Sequence, residues 1–227
     1  MKLRITLAMS AAALALAALP AAAANLISNG SFEVAPLGQD TILGPDDGTI
    51  APWITRGQGV EWVSNGNNNL GVAHDGTSWV DLAWFTSDGT PGGAIDQTFS
   101  TVAGQTYSLQ FFGTTESSFG RDGTGVVNAL INGNLLQSFN LTRASATPVT
   151  FSDWKPFSTS FVATANSTTL RLSNTQNAFQ HFAFIDSVSV TAVPEPASWA
   201  LMIVGFGLLG STLRQARRLR PVACRID

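Results

Sequence analysis

Between Asn25 and Val193, Gly, Asn, Asp, Ser and Thr recur at intervals too short for a helix to develop an apolar face, and no long 3.6-residue apolar period interrupts them. The segment instead alternates with period two, most clearly in Tyr107-Ser108-Leu109-Gln110-Phe111, after the turn Ala103-Gly104-Gln105, and in Val80-Asp81-Leu82-Ala83-Trp84. Such alternation puts every second side chain on one face of a strand. Further strands are expected over 26–32, 60–63, 94–99, 126–131, 135–139, 157–162, 168–172 and 182–190. Asn132-Gly133-Asn134 reads as a tight hairpin turn, because Asn and Gly accept positive φ. About ten strands in a segment of this length predict an all-β fold, a two-sheet antiparallel sandwich. The stretch 37–52, with its Gly-Pro-Asp-Asp-Gly, reads as a long surface loop. No internal repeat points to a propeller or solenoid.

Apolar segments flank this domain. Lys2 and Arg4 precede a run from Ile5 to Leu19, Pro20 breaks it, and Ala22-Ala23-Ala24 supplies small residues for cleavage before Asn25. Residues 1–24 therefore read as a secretory signal peptide with a helical apolar centre. At the other end, Pro194-Glu195-Pro196 interrupts the last strand and is not expected to start a helix cleanly, having two fixed φ angles and two missing N–H groups. Ala197 to Leu213 carries no charge; as a helix it would run about 25 Å, slightly short of a hydrocarbon core of about 30 Å. With Trp199 as interfacial anchor and Arg214, Arg217, Arg218 and Arg220 as a basic stop, it is expected to be a transmembrane helix. Residues 221–227 would then be a cytoplasmic tail, with 25–193 outside the cytoplasm.

Charge divides along the same boundaries. The 25–193 segment has five basic residues, Arg56, Arg121, Arg143, Lys155 and Arg171, against thirteen acidic ones, a balance of −8 that the whole-chain value of −3 hides. An acidic domain of this kind argues against nucleic acid, whose phosphates need a basic face. The single cysteine, Cys224, lies beyond the arginines, so the domain has no disulfide. His74 and His181 are too far apart in sequence for a zinc spacing.

The order Pro194-Glu195-Pro196-Ala197-Ser198-Trp199-Ala200, then Ile203-Val204-Gly205-Phe206-Gly207 and the basic cluster, resembles the PEP-CTERM sorting signal of Gram-negative bacteria. The resemblance, covering 194–220, implies recognition by an exosortase, a membrane transpeptidase that cuts near the motif. It implies an inner-membrane-anchored precursor and a product at the cell surface or in the extracellular matrix. A plain C-terminal membrane anchor is the competing reading. Within the domain, Asn29-Gly30-Ser31-Phe32-Glu33, Gly76-Thr77-Ser78-Trp79-Val80-Asp81-Leu82, Gly93-Ala94-Ile95-Asp96-Gln97-Thr98-Phe99, the segment 104–111 and Phe184-Ile185-Asp186-Ser187-Val188-Ser189-Val190 resemble the DUF642 group. More distantly they resemble carbohydrate-binding modules with a galactose-binding-like jelly roll. Both resemblances imply the jelly roll and a tendency toward extracellular polysaccharide.

Period-two alternation places Phe182, Phe184, Asp186, Val188 and Val190 on one face, so Asp186 needs a partner among apolar neighbours. The resemblance to carbohydrate-binding modules implies that Glu33 and Asp186 ligate a structural calcium, helped by carbonyls of the 74–78 loop. The alternative is that Asp186 caps backbone N–H groups and Glu33 is solvated. If Val80, Leu82 and Trp84 face inward, Trp79 and Asp81 face outward. Trp79, Asp81, Trp154 and Phe119 are thus the candidates for binding a sugar, while Trp53 and Trp62 are assigned to the core. No serine sits in a nucleophile elbow, and no carboxylate pair is placed by sequence logic, so catalysis and organic cofactors are not expected. The chain reads as an exported, non-catalytic, polysaccharide-associated module; an adhesive surface protein and a secreted glycan hydrolase are the alternatives.

Overall fold

In the computed structural model, which describes residues 23–34, 39–65, 71–83, 90–117, 121–143, 153–194 and 196–218, the alternating segments become antiparallel strands. They are β1 (Thr41–Leu43), β2 (Ile54–Gly57), β3 (Val60–Ser64), β4 (Ser78–Asp81), β5 (Gly93–Ser100), β6 (Thr106–Thr114), β7 (Thr124–Ile131), β8 (Asn134–Thr142), β9 (Lys155–Val162), β10 (Ser167–Ser173) and β11 (Phe184–Ala192). One sheet has the order β1-β3-β4-β11-β6-β9 and the other β2-β5-β10-β7-β8. This is the jelly-roll sandwich that the sequence predicts. It forms one compact unit, Ala24–Val193.

Local chemistry explains the pieces. Asn132 and Gly133 both take positive φ, 50° and 82°, the mirror-image turn whose twist suits a two-residue hairpin, and Ile131 faces Asn134 across it. Between the sheets lie Trp53, Trp62, Phe32, Phe111, Leu109, Ile95, Leu170, Leu172, Ile185 and Val190, all fully or almost fully buried. Each fully buried aliphatic or aromatic side chain contributes about 1.5–3 kcal/mol, enough for a domain without disulfides. Trp53 and Trp62 are core residues, as expected, and their indole N–H groups donate to the carbonyls of Asn29 (2.9 Å) and Phe32 (3.1 Å).

Several expectations change. Residues 26–32 form no strand: after a single bridge between Asn25 and Thr191, the chain turns through positive φ at Asn29 and Phe32. The stretch 37–52 contains β1 and buries Leu43 and Ile50, two apolar positions hidden among turn residues. The single face proposed for 182–190 breaks in two, because the pairing of β11 with β6 shifts register between Asp186 and Ser189, where Ser187 has φ 53°. This bulge turns Phe184 and Asp186 away from the main core and Val188 and Val190 into it.

At the other end, Pro196 opens α1 (Pro196–Arg218) rather than blocking it, since a first-turn proline lacks only an N–H that would be unpaired anyway. Trp199, Arg214, Arg217 and Arg218 fall within α1, and Pro194 precedes it. Glu195, Arg220, Cys224, Phe119, Trp84 and residues 1–22 lie outside the described residues. The expected transmembrane helix is not found: among the described residues no helix is long and apolar enough to cross a membrane. The uncharged run of α1, Ala197 to Leu213, makes about 25 Å of helix and is diluted by Gly205, Gly207, Gly210, Ser211 and Thr212.

Candidate functional site

The six-stranded sheet has an outer face, turned away from the main core, and the strand registers set its side chains in rows. Ile42, Glu61, Asp81, Phe184 and Thr114 stand opposite one another across β1, β3, β4, β11 and β6. Val63 and Trp79 pair in the next row. A second apolar cluster forms here from Val63, Trp79, Ala83, Ala178, Phe182 and Phe184, with Ala73 and Trp154 packed against it. Trp79 and Trp154 meet edge to face, with centroids 6.4 Å apart, and Phe182 meets Phe184 likewise at 5.8 Å.

Acidic groups sit within this apolar surround. Asp81 is 1% exposed; its Oδ1 accepts the Ala83 N–H at 2.7 Å, and Oδ2 has no hydrogen-bond partner among the described residues. Burial, followed by repulsion from Glu61, pushes the Asp81 carboxyl well above the usual range. Glu61 is only half-buried and is also raised, by desolvation and then by Asp40. Glu116, fully buried, is approached by Arg121 at 3.4 Å, and the Arg121 guanidinium lies 3.9 Å over the Phe182 ring. Backbone contacts hold the surrounding segments: the Thr115 hydroxyl donates to the Phe182 carbonyl (2.7 Å) and the Asn174 amide to that of His181 (2.7 Å).

Three of the four sugar-binding candidates therefore share one face. Trp79 and Asp81 do turn away from the main core, but both are buried, covered by the second cluster, so Trp79 presents no open ring. Trp154 is half-buried and donates its indole N–H to the Val72 carbonyl at 2.9 Å. Glu61, Glu116 and Arg121 were not singled out in the sequence. The signal for Glu61 was available in the polar position it occupies in Val60-Glu61-Trp62; its pairing with Asp81 required the register.

Glu33 and Asp186 form a different arrangement. Both grip the 74–78 loop. Glu33 Oε1 accepts the N–H groups of Thr77 (2.8 Å) and Ser78 (2.7 Å), and Oε2 accepts the Thr77 hydroxyl (2.8 Å). Asp186 Oδ2 accepts the N–H groups of His74 (2.8 Å) and Asp75 (3.0 Å), and Oδ1 that of Ser187 (2.5 Å). Burial outweighs these donors and pushes Asp186 up to about 7. The Asn29–Glu33 motif builds the clamp: a Cβ at Gly30 would lie 2.1 Å from the Val188 carbonyl oxygen, and Gly76, at φ +74°, passes under the Glu33 carboxyl. Calcium takes six to eight oxygens. Here the loop offers N–H groups to both acids, and among the described residues no three His, Cys, Asp or Glu side chains gather as a metal-holding group. As arranged, the set does not fit a calcium ion.

Residues 25–191 match the family model described as "Protein of unknown function (DUF642)". The chain belongs to the DUF642 family. Residues 192–218 of this DUF642 protein match the PEP-CTERM protein-sorting motif, which marks an exported, sorted surface protein and implies exosortase processing. No curated protein matches it in sequence. Among solved structures, a Stig cyclase from Fischerella sp. TAU in complex with (3Z)-3-(1-methyl-2-pyrrolidinylidene)-3H-indole is 19% identical at TM-score 0.54, covering 76% of this chain and 99% of that one. An apo cyclase from Fischerella sp. is 21% identical at TM-score 0.51, covering 76% and 97%. TmCBM61 in complex with β-1,4-galactotriose is 19% identical at TM-score 0.46, covering 75% and 99%. At these identities the cyclases share a fold with the DUF642 domain.

Proposed function

We propose that this DUF642 protein is a non-catalytic glycan-binding module of the bacterial cell surface or extracellular matrix, and that the outer face of the six-stranded sheet is its binding surface. The observation that carries this reading is the gathering of Trp154, Trp79, Asp81 and Glu61 on one face outside the main core. Aromatic surface with a few directed polar groups is the usual make-up of a sugar site. The half-buried Trp154 supplies the accessible ring and Glu61 the accessible acceptor. In this reading α1 and its arginines hand the precursor to an exosortase-type transpeptidase at the inner membrane, and the signal peptide of residues 1–24 exports it.

A second reading, a glycan hydrolase, is favoured by one feature. Glu61 and Asp81 stand directly opposite on neighbouring strands, which sets two carboxyls side by side on one face, as the acid pair of a glycosidase requires. Full burial of Asp81 weighs against it.

Glycan-array binding of the wild type and of Trp154→Ala tests the proposal. Binding that is lost in the variant while its melting curve stays cooperative supports it; an unaffected variant, or no binding to any glycan, overturns it. Release of reducing ends from a bound polysaccharide would favour the hydrolase instead.

A further inference from the structure

The outer face of the six-stranded sheet has a second half, along β11, β6 and β9. Tyr107, Leu109, Phe111, Phe161, Val188 and Val190 belong to the main core, so the residues between them point outward. The strand registers align these in two rows, Ser189–Gln110–Ser158 and Thr191–Ser108–Ser160, every member exposed or half-buried. With strands about 4.8 Å apart and same-face residues about 7 Å apart, the rows make a strip about 10 Å wide. In the row beyond, Phe112 stands opposite Pro156, and the exposed His74 lies parallel over the Phe112 ring with centroids 3.5 Å apart. Trp154, two residues before Pro156, continues that side of the chain.

Two properties set this strip apart. It is uncharged: the domain has eighteen charged side chains, yet none lies in 106–112, 156–162 or 187–193, although β9 is an edge strand, where charge is the common protection against unwanted pairing. Its polar groups are also unspent. On the outer face of the five-stranded sheet, Thr98 and Thr169 bond to each other (2.8 Å), Ser138 donates to Asn128 (2.6 Å), and Asp96 is held by Arg56 and Arg171. None of the six side chains of the strip hydrogen-bonds within the domain among the described residues. Five hydroxyls and one amide, each able to donate and to accept, are left facing solvent.

We propose that this strip is the polysaccharide contact and that it takes an uncharged glycan, an extended chain bearing hydroxyls alone, with a sugar ring set beside His74 and Trp154. This inference rests on the reading of the sheet's outer face as a glycan site. Neutral hydroxyls and an amide exchange hydrogen bonds with sugar hydroxyls in both directions, and the rings at one end supply an apolar flank. An anionic chain would find no free cation here: Arg56 and Arg171 bind Asp96 on the other sheet, Arg121 lies against Glu116, Arg143 approaches Asp153 at 3.6 Å, and the Lys155 ammonium donates to the Thr142 carbonyl at 2.8 Å. A cationic chain would find no carboxylate in the strip.

Titration calorimetry of the full chain with cellotetraose, xylotetraose, β-1,4-galactotetraose and a galacturonate tetramer tests this. At least one neutral tetramer is expected to bind, and galacturonate is not. The double variant Gln110→Ala/Ser160→Ala changes only side chains open to solvent and should melt as the wild type does, yet weaken that binding about tenfold, the worth of two lost neutral hydrogen bonds. Thr98→Ala/Thr169→Ala, removing two hydroxyls from the other sheet, should leave binding unchanged. Neutral binding that survives Gln110→Ala/Ser160→Ala, or tighter binding of galacturonate, overturns the inference; if that binding still requires Trp154, the glycan site itself stands. A wild-type dimer that the double variant dissociates, with no tetramer bound, gives the strip to a second copy of the chain and overturns it as well. Failure of all four tetramers overturns the inference, and a blank glycan array besides overturns the glycan site.

Discussion

Asp81 on β4 stands directly across from Glu61 on β3, and among the described residues no basic side chain forms an ion pair with either. Burial raises Asp81, so the native state keeps a proton that the unfolded chain gives up above about pH 4. Stability contributed by that proton is fully present below the unfolded value and is lost as pH rises through the raised one. Asp81→Asn keeps an acceptor for the Ala83 N–H and buries no charge. It should be about 1–3 kcal/mol more stable than wild type at alkaline pH, with the gain vanishing near pH 4. Urea unfolding at the two pH values checks this, and parallel pH profiles would count against it.

Asp186 should titrate near neutrality. Its carboxyl is raised to about 7 by burial, despite three N–H donors, so it too contributes stability that falls away between about pH 4 and 7. Carbon-13 NMR of the aspartate carboxyls should show a titration near pH 7 that disappears in Asp186→Asn. A value near 4 would mean that the N–H donors outweigh burial.

Gly76→Ala should be costly in a way that Gly133→Ala is not. Both glycines have positive φ, but a Cβ at Gly76 would lie 2.4 Å from Glu33 Cδ, while at Gly133 it meets nothing within 4 Å. The expected losses are about 2–4 kcal/mol for Gly76→Ala and about 1 kcal/mol for Gly133→Ala. Equal shifts in the thermal midpoint would show that the Glu33 carboxyl swings aside freely.

Melting temperature should be indifferent to chelation. Because the oxygens of Glu33 and Asp186 are taken up by N–H and O–H donors, neither EDTA nor a later excess of calcium is expected to move it. A rise of several degrees on adding calcium would reveal a rearranged, metal-holding loop.

Mass spectrometry of the mature protein from its own host should show Asn25 at the N-terminus and a C-terminus near Pro194-Glu195-Pro196. An intact chain containing Cys224 would speak for a stable anchor over transpeptidase processing.

Much of the sandwich was legible because alternation survives wherever a strand has one core face, as in Tyr107–Phe111 and Leu170–Leu172. The short strands β1 and β2 were not, since three or four residues among Thr, Gly and Asp give no period to count. For the site, the outward direction of Asp81 and Trp79 followed from alternation, but their burial did not. That depends on Phe182 and Ala178, which arrive from the segment preceding β11. The resemblance set Glu33 and Asp186 beside the 74–78 loop as calcium ligands with its carbonyls, whereas the loop turns N–H groups toward them, a matter of local φ and ψ that composition does not encode.

The bulge at Ser187 has a bearing on how such a domain can change over time. With Ile185 pointing to the main core before it and Val188 and Val190 after it, β11 serves two apolar clusters whose phases are set separately on either side of one residue. The second cluster can then be repacked at Phe184 without shifting the interior partners further along the strand. Deleting a single residue there would do the reverse: it would fuse the phases and drag a carboxylate inward. A domain built this way can alter one apolar cluster while the other stays fixed.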